Sequence, residues 1–210
     1  MLTTYKTVRR EGSKEIVIRK SRFIGHIRPV ETEEEAVAFI EEIKKQHWNA
    51  THNCSAYMIG ERDEIQKQSD DGEPSGTAGK PILEVIRNQG LKNVAIVVTR
   101  YFGGIMLGAG GLIRAYTDGA VAAIEAGDPI IRVLHREIVV ELDYTWLGKV
   151  ENELRNRGIR MGQTEFTDKV RLTCLPLEPE AEQFKTWMTD LTQGQSQITE
   201  GESIFYIEGE

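Results

Sequence analysis

The chain has 210 residues, 40% hydrophobic and 28% charged, which is room for one large or two modest globular domains. No apolar run approaches the ~20 residues that span a bilayer, and the Met-Leu-Thr-Thr-Tyr-Lys start has no signal-peptide core, so a cytoplasmic protein is expected. The net charge of −7 is uneven: residues 1–129 hold 17 basic and 18 acidic side chains, residues 130–210 hold 9 and 15, which argues against an acidic C-terminal part binding nucleic acid by charge alone.

In chain order, alternation predicts strands at 4–9 and 15–19, joined by a turn near Gly12, and a third at Phe23–Ile27. Thr32-x-x-Glu35 is a capping box opening a helix whose stripe is Val37, Ile40 and Ile43, with Ala36 and Phe39 beside it. Ser55–Ile59 reads as a strand. Residues 61–79 are expected to be a long irregular loop, ending in Ser69-Asp-Asp-Gly-Glu-Pro-Ser-Gly-Thr-Ala-Gly79. Pro81 suits the first turn of a short helix over 82–88. The apolar run Val94–Val98 predicts a strand covered on both faces.

The segment from Arg100 to Arg114 is the most informative. Its glycines 103, 104, 108, 110 and 111 follow that strand and precede a helix expected over 112–126, with a stripe of Leu112, Ile113, Tyr116, Ala120, Ala123 and Ile124. A glycine turn that opens a helix presents free N–H groups to an anion, although a tight crossover explains it equally well. Gly127-Asp128-Pro129 is the expected boundary between domains 1–129 and 130–210. Beyond it the order βαββαβ predicts a ferredoxin-like sandwich, with Asp143 as an N-cap and a last strand over 204–208.

Several motifs compete for a function. Asp70, Asp71 and Glu73, beside Ser75 and Thr77, form an oxygen-rich cluster, for which solvated turns and caps outweigh a metal site. Gly79-Lys80-Pro81 fails the P-loop pattern at both flanks. His52 and Cys54 share a strand face, yet a buried thiol beside a bonded histidine is the favoured reading over a nucleophilic pair. Cys174 is read as a second buried thiol, and no zinc spacing is present. Arg100 and Arg114, with Tyr101 and Phe102, suit a nucleotide or single-stranded RNA. Salt bridges from these arginines to Asp70, Asp71 or Glu73 are the competing expectation.

Four stretches carry a resemblance: Ser21-Arg-Phe-Ile-Gly25, Ala50 to Tyr57, Ser69 to Pro81, and Arg100-Tyr-Phe-Gly-Gly104 through Tyr116. Together they resemble the IMPACT family, more narrowly its bacterial YigZ/YvyE branch. The resemblance implies an α+β protein: an N-terminal domain like domain two of ribosomal protein S five, and a ferredoxin-like domain similar to the last domain of the translocation elongation factor. Eukaryotic relatives regulate translation under amino-acid starvation by competing for the activator of an initiation-factor kinase, so a stress-response role is implied. The expectation is a non-enzymatic protein without cofactor or metal, binding RNA, a ribosome-associated factor or a protein. Its ligand-binding residues would be His52, Asp70, Asp71, Glu73, Ser75, Thr77, Lys80, Arg100, Tyr101, Phe102, Gly103, Gly104, Gly108, Gly110, Gly111 and Arg114. The alternative is a protein or enzyme that cradles a nucleotide or phosphometabolite on the glycine turn, with a metal on Asp70 or Asp71.

Overall fold

The computed structural model describes residues 2–209. Contacts divide them into two compact units, residues 5–131 and residues 2–4 with the chain from Arg132 onward.

After β1 (Thr4–Val8), the first unit is built from β2 (Gly12–Ile18), β3 (Ser21–Pro29), α1 (Glu33–Gln46), β4 (His52–Ile59), β5 (Ile65–Ser69), α2 (Gly79–Asn88), β6 (Val94–Tyr101) and α3 (Gly108–Gly127). Its antiparallel sheet has the order β2-β3-β6-β4-β5. The central strand β6 is apolar because both faces are covered: Val94, Ile96 and Val98 join the core under α2 and α3, while Ala95 and Val97 join the core under α1. At the start of α1 the Glu35 N–H donates to Thr32 Oγ1 at 3.2 Å, and Glu35 Oε2 accepts from the Glu31 N–H at 2.7 Å. That closes the helix start. The helix α3 lies directly on β3, where a Cβ at Gly25 would stand 2.1 Å from the Gly119 carbonyl oxygen. Only glycine permits that approach.

Three expectations are corrected. Val37 is exposed, and the buried stripe of α1 is Ala36, Phe39, Ile40 and Ile43. The stretch 61–79 contains β5, a polar edge strand held by its register with β4 rather than by buried side chains. The helix α3 begins at Gly108, four residues before the expected start, and Ile113 faces outward while Ala115 is buried. Glycine is a poor helix former, so the packing of the later turns must carry this first one.

The second unit comprises β7 (Pro129–Leu142), whose first residues lie in the first unit, then α4 (Tyr144–Asn156), β8 (Arg160–Phe166), β9 (Val170–Leu175), a 3-10 turn (Glu178–Glu180), α5 (Ala181–Leu191) and β10 (Gln197–Ile207). The order β10-β7-β9-β8 is antiparallel throughout and is the strand order of a ferredoxin-like sandwich. Asp143 caps α4 by accepting from the Thr145 N–H at 2.9 Å. The last strand starts seven residues earlier than expected, since an irregular register between Glu200 and Ser203 breaks its alternation. The molecule is therefore α+β, with the two folds that the resemblance implied. No helix among the described residues is long and apolar enough to cross a membrane.

Candidate functional site

Directly paired residues on neighbouring strands point to the same face of a sheet. The register sets His52 of β4 and Phe23 of β3 both opposite Arg100 of β6. On this face Arg100 is 6% exposed; its guanidinium stands 5.5 Å from the Phe23 ring centroid and donates from Nη1 to Glu73 Oε1 at 2.7 Å. The Tyr116 hydroxyl, buried on α3, donates to the same oxygen at 2.7 Å. The pair Arg100–Glu73 thus realises one of the expected salt bridges, buried rather than solvated. Arg100 Nε is also buried and has no acceptor among the described residues. His52 Nδ1 lies 2.8 Å from the Asp71 carbonyl oxygen, which can only accept, so that nitrogen carries the proton. Its Nε2 then faces Glu73 Oε2 at 3.7 Å, too far for a hydrogen bond.

These groups floor an open cleft of about 480 Å³ whose sides are Pro74, Phe102, Met106, Leu107 and Leu112, with Gly108 and Ala109 at its rim. A second hollow of about 450 Å³ is lined by Arg19, Gly110, Gly111, Arg114 and Asp118. Leu107 borders both, so the start of α3 stands between them.

The two glycine-rich helix starts differ. At α2 the Asp70 carboxylate accepts from the N–H groups of Gly76, Ala78 and Gly79 at 2.9–3.1 Å. Burial alone would raise the Asp70 pKa, but these three donors outweigh it and hold the carboxyl below its usual value. At α3 no side chain caps the helix, and the N–H groups of residues 108–110 have no acceptor among the described residues. Gly108, Ala109 and Gly110 are exposed there. Gly110 has room for a Cβ and no positive φ, so the fold itself does not require glycine at that position. Arg19 and Arg114 are exposed beside this helix start and form no ion pair with any described residue.

The remaining candidates sit elsewhere. Asp71 Oδ2 accepts from the Asn53 N–H at 2.7 Å, and its Oδ1 is 3.4 Å from Lys44 Nζ. The three acidic side chains therefore serve three separate sets of partners. Thr77 is buried and donates to the Pro74 carbonyl, Ser75 is exposed, and Lys80 is exposed 4.0 Å from Glu84. Tyr101 follows Arg100 in the strand and so points to the opposite face, where its hydroxyl lies 2.8 Å from His47 Nδ1. Phe102 stays with the cleft, half-exposed, its ring centroid 5.5 Å from the Arg100 guanidinium. Gly103 donates to Ser21 Oγ at 3.1 Å, and Gly104 turns the chain with φ +86°. Cys54 is buried with its thiol toward the Asp70 carbonyl at 3.0 Å, and burial pushes its pKa up, the opposite of a reactive thiol. Pro74, Met106 and Leu112 fall within the Asp70–Lys80 and Arg100–Arg114 loops expected to form the site, though not among the expected contacts, whereas Arg19 and Thr51 lie outside both loops. Arg19 and Lys20 have positive φ in the β2–β3 turn, a feature invisible in residue types.

Comparisons with known proteins agree with this architecture. Residues 19–124 match the family model of the Impact N-terminal domain, and residues 140–195 match a domain of unknown function, DUF1949. The chain is 54% identical over 208 residues to the IMPACT family member YvyE of Bacillus subtilis, spanning 99% of this chain and 95% of that one. It is 35% identical to the IMPACT family member YigZ of Escherichia coli over 86% of this chain and 90% of that one. Protein IMPACT of Homo sapiens matches at 36% identity over 98 residues, 44% of this chain and 30% of that one. A solved structure titled as that of a hypothetical protein aligns with a TM-score of 0.61 and 29% identity, covering 96% of this chain and 99% of that one. With a domain match covering half its length and a relative this similar across its whole extent, the chain belongs to the IMPACT family.

Proposed function

We propose that the first unit binds single-stranded RNA as part of a translation-regulating role, a role that membership of the IMPACT family supports at the family level. The observation that carries this reading is the open start of α3. Among the described residues, three consecutive backbone N–H groups there, those of residues 108–110, lack acceptors, and Arg19 and Arg114 stand beside them without an ion pair. Amides and dipole at a helix N-terminus favour an anion, and the flanking guanidiniums suit phosphate. The exposed ring of Phe102 nearby offers a stacking surface, the second component of single-strand binding. In this reading the RNA, or a ribosome-associated RNA, contacts Gly108, Gly110, Gly111, Arg114 and Arg19. Asp70, by contrast, orders the neighbouring loop. The test is fluorescence anisotropy of a labelled single-stranded RNA. Arg114→Glu is expected to weaken binding at least tenfold, and unchanged affinity would remove this surface from the reading.

A protein partner is the second reading, supported by the apolar tip at Ile105 and Met106, which are 39% and 83% exposed. A partner retained by the immobilised protein after ribonuclease treatment would favour it.

A further inference from the structure

We propose that the cleft beside α3 is a subsite for one unpaired nucleotide, taking a nucleobase against Phe102 and Met106 and the attached phosphate on the open N–H groups at the helix start. The strand-bound form rests on the RNA-binding reading above; the base-binding chemistry does not.

Three features of the cleft meet in this assignment. Its volume of about 480 Å³ falls within the ~300–1,000 Å³ of small-molecule sites, so it admits one planar ring system and no duplex. Its sides are apolar or aromatic, with Phe102 49% and Met106 83% exposed, which suits the π-faces of any base. Its floor is polar and incompletely bonded. Arg100, more than nine-tenths buried, has an Nε donor without an acceptor among the described residues. Its ion-pair partner Glu73 has at Oε2 no hydrogen-bond donor among the described residues, His52 Nε2 standing 3.7 Å away.

A buried donor or acceptor left unmade is costly, so an orphan at the bottom of a cleft points to a group that enters it. A donor adjacent to an acceptor complements the edge of a nucleobase, where a ring nitrogen or carbonyl sits beside an amine or imine N–H. A bare carboxylate or phosphate would meet Glu73 unfavourably at the floor. The same ligand finds its anion site at the rim instead, where Gly108 and Ala109 line the cleft. Separating charge from ring in this way is what a nucleotide requires.

The nucleotide could be free or part of a strand, and the experiment distinguishes them. Anisotropy is measured for an oligouridine hexamer and for an abasic ribose-phosphate hexamer of equal charge, on the full chain and on Phe102→Ala and Met106→Ala. Both variants change exposed side chains, and an unchanged melting temperature verifies their fold. The base-bearing strand is expected to bind about tenfold tighter than the abasic one, with that preference lost in either variant. Competition by uridine or adenosine monophosphate identifies the free nucleotide as a ligand in its own right. Equal affinity for the two strands, with no competition, overturns the subsite and leaves the RNA reading standing. A base preference that survives both substitutions also overturns it, because the base is then read elsewhere. Monophosphate binding lost in Phe102→Ala, without strand binding, retains the subsite and removes the RNA reading. Binding of neither ligand removes both.

Discussion

Glu73 and Arg100 form a pair whose side chains are 3% and 7% exposed, so neither charge is solvated if its partner goes. Removing one member of such a pair typically costs about 3–5 kcal/mol, whereas replacing both by apolar residues is often neutral. Glu73→Ala is therefore expected to lower stability in urea unfolding by about that amount, and Glu73→Leu with Arg100→Met to recover only part of it, since the buried Tyr116 hydroxyl still loses its acceptor. A small loss in the single variant would mean water reaches Arg100. His26 gives a pH signature. Burial, with His47 adding a smaller effect, holds its pKa down to about 4, while an unfolded histidine titrates near 6.5. Between those values the unfolded chain takes up a proton that the folded chain refuses, so stability falls as pH drops from 6.5 to 4, by at most ~1.4 kcal/mol per pH unit. Above 6.5 this contribution is complete. Urea midpoints at pH 7 and pH 4.5 should therefore lie closer together in His26→Gln than in the parent chain.

Elements with local signals were legible in the sequence. Thr32 and Asp143 announce their helices because a cap is a contact between residues two or three apart. β5 was not legible, since Ile65-Gln-Lys-Gln-Ser69 has one apolar residue and owes its form to hydrogen bonds with β4. The pairing of Arg100 with an acidic side chain was readable only as one option among three, because the sheet register and a 27-residue separation decide which carboxylate arrives. The first turn of α3 was hidden by its glycines, and this has an experimental consequence. Gly110 lies in that turn with no positive φ, and a Cβ added to it would meet nothing within 4 Å. Gly110→Ala is expected to stabilise the protein by about 0.5–1 kcal/mol, as alanine exceeds glycine in a helix. The same methyl group would stand where a bound phosphate approaches, so affinity for RNA should fall as stability rises. Opposite signs in the melt and in the binding isotherm are the expected pattern; a variant more stable and equally tight would show that nothing approaches this turn closely.

Over the whole molecule, the pairing of charges distinguishes the two units. Residues 130–210 carry nearly all of the net −7, while exposed Arg19, Lys20 and Arg114 lie in the first unit without ion pairs among the described residues. In the second unit, Lys169 and Arg171 are engaged with Glu141, and Lys185 with Glu182 and Glu200. Cations already paired release few counterions when a phosphate arrives, whereas free ones contribute fully. The dependence of log affinity on log salt for single-stranded RNA should therefore become shallower by ~0.7 for each of Arg19→Ala and Arg114→Ala. Lys169→Ala and Arg171→Ala should leave the slope unchanged. Measuring all four slopes on the intact chain tests the placement without separating the units. A slope that shifts with the second pair and not the first would move the nucleic-acid surface to the ferredoxin-like sandwich, against its acidic balance.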